Sequence, residues 1–314
     1  MIQLYGTLQE WLMQTLVLPL LYAVGGMGFA DDAIDGLDWL LLGLLQILII
    51  ALVFRPFEAK PDPQTFTDPV KSKWADIFYT LIHRLGIFRL LMFFMFSPVF
   101  FWFDSQLHDL RFARLNVENL WDGVTTIPWV SFLIYLVILD FAEYLYHRAS
   151  HHWNWWWQLH TLHHSQRYMT SWSDNRNNVL DDLGHSGVFA LIALFIGVEP
   201  IQYFWLIMIS QLIQSWYHGN FNVDLGWGKY VFVSPIYHRL HHAIGLGHEV
   251  PGKPGVLGGC NFGILFTWWD IIFGTAIFDK KTHPTGVKDV IVSPNVGVQQ
   301  WQGIRHSFKV LTGL

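Results

Sequence analysis

The stretch HRASHHWNWWWQLHTLHH, His147–His164, holds six histidines and four tryptophans in eighteen residues. On a helix, positions three and four apart share a face. His147 and His151 are spaced that way, and so are His160, His163 and His164. A later box, HRLHH, repeats the second spacing with His238, His241 and His242. Each box aims two or three imidazoles at one point, and imidazole suits iron, copper, zinc and nickel. The boxed histidines exceed what one ion holds, so the natural count is two metals close together. His218 supplies a further candidate ligand.

Outward from this stretch the chain is strongly apolar. It is 52% hydrophobic and only 14% charged, against about 25% charged in a soluble domain. A spanning helix needs about 20 mainly apolar residues. Trp11–Phe29, Leu37–Phe54, Leu85–Phe103 and Val124–Tyr146 come close. The first contains Pro19 and three glycines near its end. The third carries Arg89 near its start, placed to snorkel. Val188–Trp216 is longer and breaks at GVEP, where Gly197 and Pro200 can turn a helical hairpin inside the bilayer. The expected class is an all-α integral membrane protein. It has about four transmembrane helices plus a membrane-embedded helical hairpin, with a cytoplasmic helical cap holding a histidine-rich dimetal site. Length alone does not separate this from a soluble all-α protein with buried helices.

The loops give the orientation. Ala30–Asp38 contains four aspartates and no basic residue, whereas Arg55–Arg84 carries Arg55, Lys60, Lys71, Lys73 and Arg84. The positive-inside rule puts the second loop in the cytoplasm. Counting spans from there brings the histidine boxes out on the cytoplasmic side, at the inner membrane if the host is bacterial. The N-terminus shows no basic n-region or cleavage site, so no removed signal peptide is expected. The single cysteine, Cys260, excludes an intrachain disulfide and a thiolate-rich metal site. No basic stripe suggests nucleic acid as a partner. The chain divides into N-terminal transmembrane helices and loops (1–123), a catalytic unit (124–287) and a polar, extended C-terminal tail (288–314).

Metal-bound histidines usually donate their second ring N–H to a carboxylate or carbonyl. Asp140 and Glu143 precede His147 by seven and four residues, roughly on its helical face, and are candidate acceptors. Asp181 and Asp182 are weaker ones. His152 points away from its neighbour His151 and reads as a surface or supporting residue. His185 and His248 read as structural, and His83, His108, His283 and His306 as surface residues. An all-nitrogen donor set differs from carboxylate-rich di-iron bundles. No H-E-x-x-H or G-x-S-x-G motif is present. Redox metals at a membrane surface point to oxygen activation on a lipid chain. An unactivated C–H bond has no proton that a side chain could remove, so the hard step belongs to the metal centre.

HRASH, HTLHHS and SPIYHRLHH, followed by NFGILFTWWDIIFGT (Asn261–Thr275), resemble the histidine boxes and following segment of the fatty acid hydroxylase or sterol desaturase superfamily. The likeness covers roughly Val124 to Val287. It implies an integral membrane, non-haem di-iron enzyme using two iron ions, O₂ and external electrons. By this resemblance the ligands are His147, His151, His160, His163, His164, His238, His241 and His242. His218, in WYHGNFN, stands where the family places another. Asn222 replaces a histidine of some members and would ligate weakly or hold a water. RNNVLDD (Arg176–Asp182) departs from the family's Arg-x-His-Pro-x-Glu-like stretch. The implied partners are a membrane lipid and a separate electron donor, a ferredoxin or a cytochrome with its reductase. Hydroxylation of a fatty acyl, sterol or amino-lipid C–H bond is the first expectation. A desaturase or an alkylglycerol-ether monooxygenase is the alternative within the superfamily. A non-enzymatic metal-binding or metal-transport membrane protein is the alternative outside it. A transporter places its polar ligands at the bilayer midplane on broken helices, whereas these histidines sit at helix ends.

Overall fold

A computed structural model describes residues 2–59, 69–109, 121, 127–281, 283–290 and 292–314. The basic loop around Lys60, and Val124 at the expected start of the fourth span, lie outside them. The described residues are helical, with isolated bridges such as Phe232 to Phe266 instead of strands.

Three helices are long and apolar enough to cross a membrane: Met27–Phe57, Trp129–His152 and Val179–Ile196. The first joins α3 (Ala30–Ile49), a π-helical turn and α4 (Arg55–Phe57). It contains the expected Leu37–Phe54. A fourth candidate is a pair bent by 50°, Lys73–Arg84 with Ile87–Phe103, formed by α5 (Pro69–Arg84) and α6 (Ile87–Asp109). Gly86 makes the bend with φ of 78°, a conformation that costs glycine little. The expected span Trp11–Phe29 does not form. Helices α1 (Ile2–Leu12) and α2 (Leu18–Ala23) end at a turn over Val24–Gly26. Gly25, at φ of 70°, ends the helix there.

α7 (Pro128–His152) carries the first histidine box on its last turns, and α8 (Asn154–His164) carries the second. The hairpin is present. α9 (Val179–Ile196) ends on the left-handed Gly197, and Pro200 opens α10 (Pro200–His218). Asn178 caps α9 by accepting from the Leu180 amide at 3.1 Å, as N-cap residues do. α11 (Pro235–His241) holds the third box and is capped by Ser234. α12 (Trp268–Ile272) follows the loop that closes the cap.

The C-terminal segment corrects the sequence reading. It is not an extended tail, because Val296–Thr312 forms a helix, α13, capped by Asn295. Gln299, Gly303 and Ser307 are buried at four-residue spacing, and the helix packs along α8. Its Gln300 accepts from the Val179 amide and donates to the Asn177 carbonyl. The buried stripe is small and polar, so it carries no hydrophobic signal.

One cluster ties the spans together beneath the cap. Arg84, at the end of α5, donates to Gln46 on α3, to Gln211 and Ser215 on α10, and to Asp174. Arg84 and Asp174 are buried, and a buried charge is tolerated when it is paired and hydrogen-bonded. α3 reaches the cluster through Gly43. A Cβ there would stand 1.7 Å from the Arg84 carbonyl oxygen. Gly43→Ala is therefore expected to destabilise the protein by on the order of 1–3 kcal/mol, read as a lower melting temperature in detergent. An unchanged melting temperature would show that α3 and α5 are not in backbone contact.

Candidate metal centre

The histidines on α7, α8, α10 and α11 converge into two buried quartets. One consists of His147, His151, His164 and His241, the other of His163, His218, His238 and His242. Within each quartet the donor nitrogens all lie within 4.8 Å of one another. Adjacent histidines in sequence divide between the quartets, because neighbours on a helix point about 100° apart. His163 and His242 thus serve one quartet, and His164 and His241 the other.

The ring nitrogens approach as ligands of a common ion do. His151 Nε2 lies 3.0 Å from His164 Nε2. In the second quartet, His218 Nε2 lies 3.0 Å from His238 Nε2 and 3.3 Å from His163 Nε2. His238 and His242 are 3.1 Å apart at Nε2. Nitrogens bound about 2.1 Å from one metal, at angles between octahedral and tetrahedral, sit roughly 2.9–3.4 Å apart. His241 Nε2 is buried without a hydrogen-bond partner among the described residues, as are His163 Nδ1, His238 Nδ1 and His242 Nδ1. Unpaired buried donors and acceptors are rare in a folded protein. This donor set fits two ions of a nitrogen-loving transition metal.

The far side of several rings is fixed by acceptors. His147 Nδ1 donates to the Phe262 carbonyl at 3.0 Å, His151 Nδ1 to Gly258 at 3.2 Å, and His241 Nδ1 to Cys260 at 2.7 Å. Three alternate carbonyls of one loop thus orient three members of one quartet. The residues between them, Gly259 and Asn261, have positive φ of 133° and 60°. A side chain on Gly259 would meet the Gly247 carbonyl oxygen at 2.1 Å. In the other quartet His218 Nδ1 donates to the Gln214 carbonyl at 2.8 Å. Each such bond places the remaining lone pair on Nε2, toward the centre.

Buried side chains clamp that loop. Asp270 accepts from the Phe262 and Gly263 amides, the Tyr237 hydroxyl and the Thr275 hydroxyl. Asn261 bonds the backbone of Tyr237 and Ile277. Asp140 accepts from the Leu265 and Phe266 amides and from the Trp269 indole at 2.9 Å.

The expected acceptors therefore need correction. Asp140 faces the loop and not a histidine, so it acts on the quartet through the loop. Glu143 accepts from His185, at 2.9 Å and 3.0 Å. Asp182 lies 3.3 Å from His83, so His83 and His185 are both paired within the protein. Asn222 is exposed, beside Arg239, Lys280 and His283, and belongs to neither quartet. Asp181 alone of the four carboxylates meets a box histidine. It accepts from His160 Nδ1 at 2.8 Å and from the Trp156 indole at 2.7 Å.

His160 belongs to neither quartet, although its buried Nε2 has no partner among the described residues. Its ring centre lies 5.0–5.2 Å from those of His164, His151 and His147 of the first quartet and 5.2 Å from that of His163 of the second. His152 is exposed. His248, read from the sequence as structural, is buried with Nε2 at 3.0 Å from His164 Nδ1. Its box-free setting, GLGHEV, gave no ligand signal. The only hint was the glycine density on either side, which permits close backbone approach.

Burial, and next the neighbouring imidazoles, hold His163, His164, His238, His241 and His242 well below the ordinary histidine range. Burial brings His248 down to about 3. These rings are neutral at pH 7, the form that binds metal. The unfolded chain takes up protons below its ordinary pKa of about 6.5 while the metal-free fold does not. This stabilisation is complete above that pH and is lost as the pH falls below it. The melting temperature of metal-free protein should drop between pH 7.5 and pH 5. A flat profile would show that the rings are solvated.

Comparison with known proteins places these residues in a family context. Residues 132–275 match the fatty acid hydroxylase family. The chain is 30% identical over 169 residues to an alkylglycerol monooxygenase of Caenorhabditis elegans, covering 52% of this chain and 31% of that protein. It is 26% identical over 150 residues to the ornithine lipid hydroxylase OlsE of Rhizobium tropici, covering 48% of this chain and 42% of the other. It is 22% identical over 300 residues to the Delta(7)-sterol 5(6)-desaturase erg3C of Aspergillus fumigatus, covering 78% and 88%. The chain spans well under half the length of the alkylglycerol monooxygenases it matches. No solved structure matches significantly.

Proposed function

We propose, for a chain whose residues 132–275 belong to the fatty acid hydroxylase family, a membrane-bound oxygenase that hydroxylates an unactivated C–H bond of a lipid with O₂ and external electrons. The observation that carries this reading is the placement of the quartets. They border a cavity of about 1150 Å³ that runs among the apolar helices and is lined by Phe29, Trp39, Phe93, His147, His163 and His238. A lipid chain can pass from the bilayer to the histidines without crossing water. Two iron ions are the metals we assign, which the eight quartet histidines would hold, with His160 beside them. Bound there, they supply oxygen activation with electrons from a ferredoxin or a cytochrome and its reductase.

The chain's own contribution is positioning. The 258–262 carbonyls and Asp181 orient rings, and the neutral imidazoles would add no negative charge to the metals they hold. The loop charges support a cytoplasmic position for this end of the molecule, with the bent pair counted as a fourth span and the hairpin returning to its starting side. Residues 124–287, joined by α13, form the catalytic unit.

Desaturation is the second reading, favoured by the long overlap with the sterol desaturase. Incubation under ¹⁸O₂ decides between them. We expect one labelled oxygen in the product, and an unlabelled product with a new double bond would make the protein a desaturase. His241→Ala and His242→Ala, adjacent in sequence, alter different quartets. Each should lower the metal content from about two to about one per chain and abolish turnover. Two metals retained in both variants would overturn the assignment of ligands.

A further inference from the structure

Arg89 lines the cavity. Its guanidinium carbon lies 3.4 Å above the centre of the Trp39 ring, which lines it too. Arg84 is the other guanidinium on this cavity among the described residues, and it is paired with Asp174 and bonded to three further side chains. Arg89 makes no hydrogen bond or ion pair among the described residues. Asp32 and Asp35 line the cavity further along α3 and form no ion pair with it. The remaining carboxylates on the wall are engaged elsewhere: Asp140 by the 265–269 loop, Glu143 by His185, Asp181 by His160 and Asp182 by His83. An arginine within an apolar cavity is costly without a counter-charge, and a cation–π contact offsets only part of that cost.

We propose that Arg89 anchors the anionic headgroup of the lipid, a carboxylate or a phosphate, with the chain running from it toward the histidines. Guanidinium pairs with either anion in a two-pronged geometry. Trp39, packed edge-on against Phe204 at 4.4 Å between ring centres, holds the guanidinium in place. That contact also sets the level of Arg89 along α10. From Phe204 to His218 the helix rises about 21 Å, and the His218 ring leans back toward the Gln214 carbonyl. An extended alkyl chain with C–C bonds of about 1.5 Å advances roughly 1.3 Å per carbon, so at most about sixteen carbons fill that rise. The oxidised carbon is therefore placed away from the headgroup, in the distal half of a C18 chain. This place of attack rests on the oxygenase reading, whereas the anion anchor does not.

The test uses holoprotein in nanodiscs with radiolabelled octadecanoate, octadecyl phosphate and octadecanol, first without O₂ or reductant. In wild type at least one of the two anions should bind at least about tenfold more tightly than the alcohol. The tighter of the two identifies the headgroup. Arg89→Gln should remove that preference, and Arg89→Lys should keep part of it. Equal binding of alcohol and both anions in wild type overturns the anchor, whether or not the variants fold. So does a preference that survives Arg89→Gln. With O₂ and reductant added, oxygen in the distal half of the anion's chain supports the orientation, and oxygen in the half next to the headgroup overturns it. A binding preference with no O₂-dependent product overturns the oxygenase reading and leaves the anchor standing. Equal turnover of octadecanol and the anions does the reverse.

Discussion

A neutral imidazole has one donor and one acceptor, and this fold depends on where the donor is sent. When Nδ1–H is given to a protein acceptor, the lone pair on Nε2 is committed to the opposite direction. His147, His151 and His241 give theirs to carbonyls 262, 258 and 260, His218 to carbonyl 214, and His160 to Asp181. The lone pairs then crowd together in buried space. Among the described residues nothing balances that arrangement, so the cap is suited to hold a cation by the logic of its hydrogen bonds.

The loop that supplies three of those carbonyls has no regular secondary structure, and its shape comes from side chains reaching in from elsewhere. Asp270 holds two of its amides, Asn261 ties it to Tyr237 and Ile277, and Asp140 anchors it to α7. Asp140 thereby couples the spanning helix to the loop that orients the rings of His147 and His151 on that same helix. A carboxylate buried in an apolar helix is tolerated because two amides and an indole meet it. α13 extends the same principle, since Gln300 holds the backbone that leads into α9 and so supports Asp181.

Beneath the cap, the bend at Gly86 gives the cavity its polar wall. α5 brings His83 and Arg84 inward, and α6 restarts with Arg89 over Trp39. On a straight span these three positions would point to different sides of the helix, about 100° to 140° apart. The break keeps them inside the protein, where each meets a carboxylate, an amide or an aromatic face.

Much of this was legible in the sequence. The apolar runs gave the spans because a helix must satisfy its own backbone in lipid, and that requirement needs no tertiary partner. The GVEP hairpin was readable from Gly197 and Pro200 for the same local reason. The boxes were readable because spacing of three and four residues fixes a helix face. Tertiary structure decided the rest. Which histidines share a quartet depends on how four helix ends meet, and spacing within a box is silent on that. His164 therefore joins His241 across 77 residues while its neighbour His163 joins His242. Asp140, Glu143 and Asp182 stood at the right helical positions to support histidines, but loops and neighbouring helices claimed them. His248 and the clamped carbonyls left no periodic trace, because a backbone carbonyl has no residue type to read. α13 was missed because its buried stripe is glutamine, glycine and serine. Local periodicity determined the elements, and non-local packing chose each polar atom's partner, since hydrogen bonds form between atoms that are close in space wherever they lie in the chain.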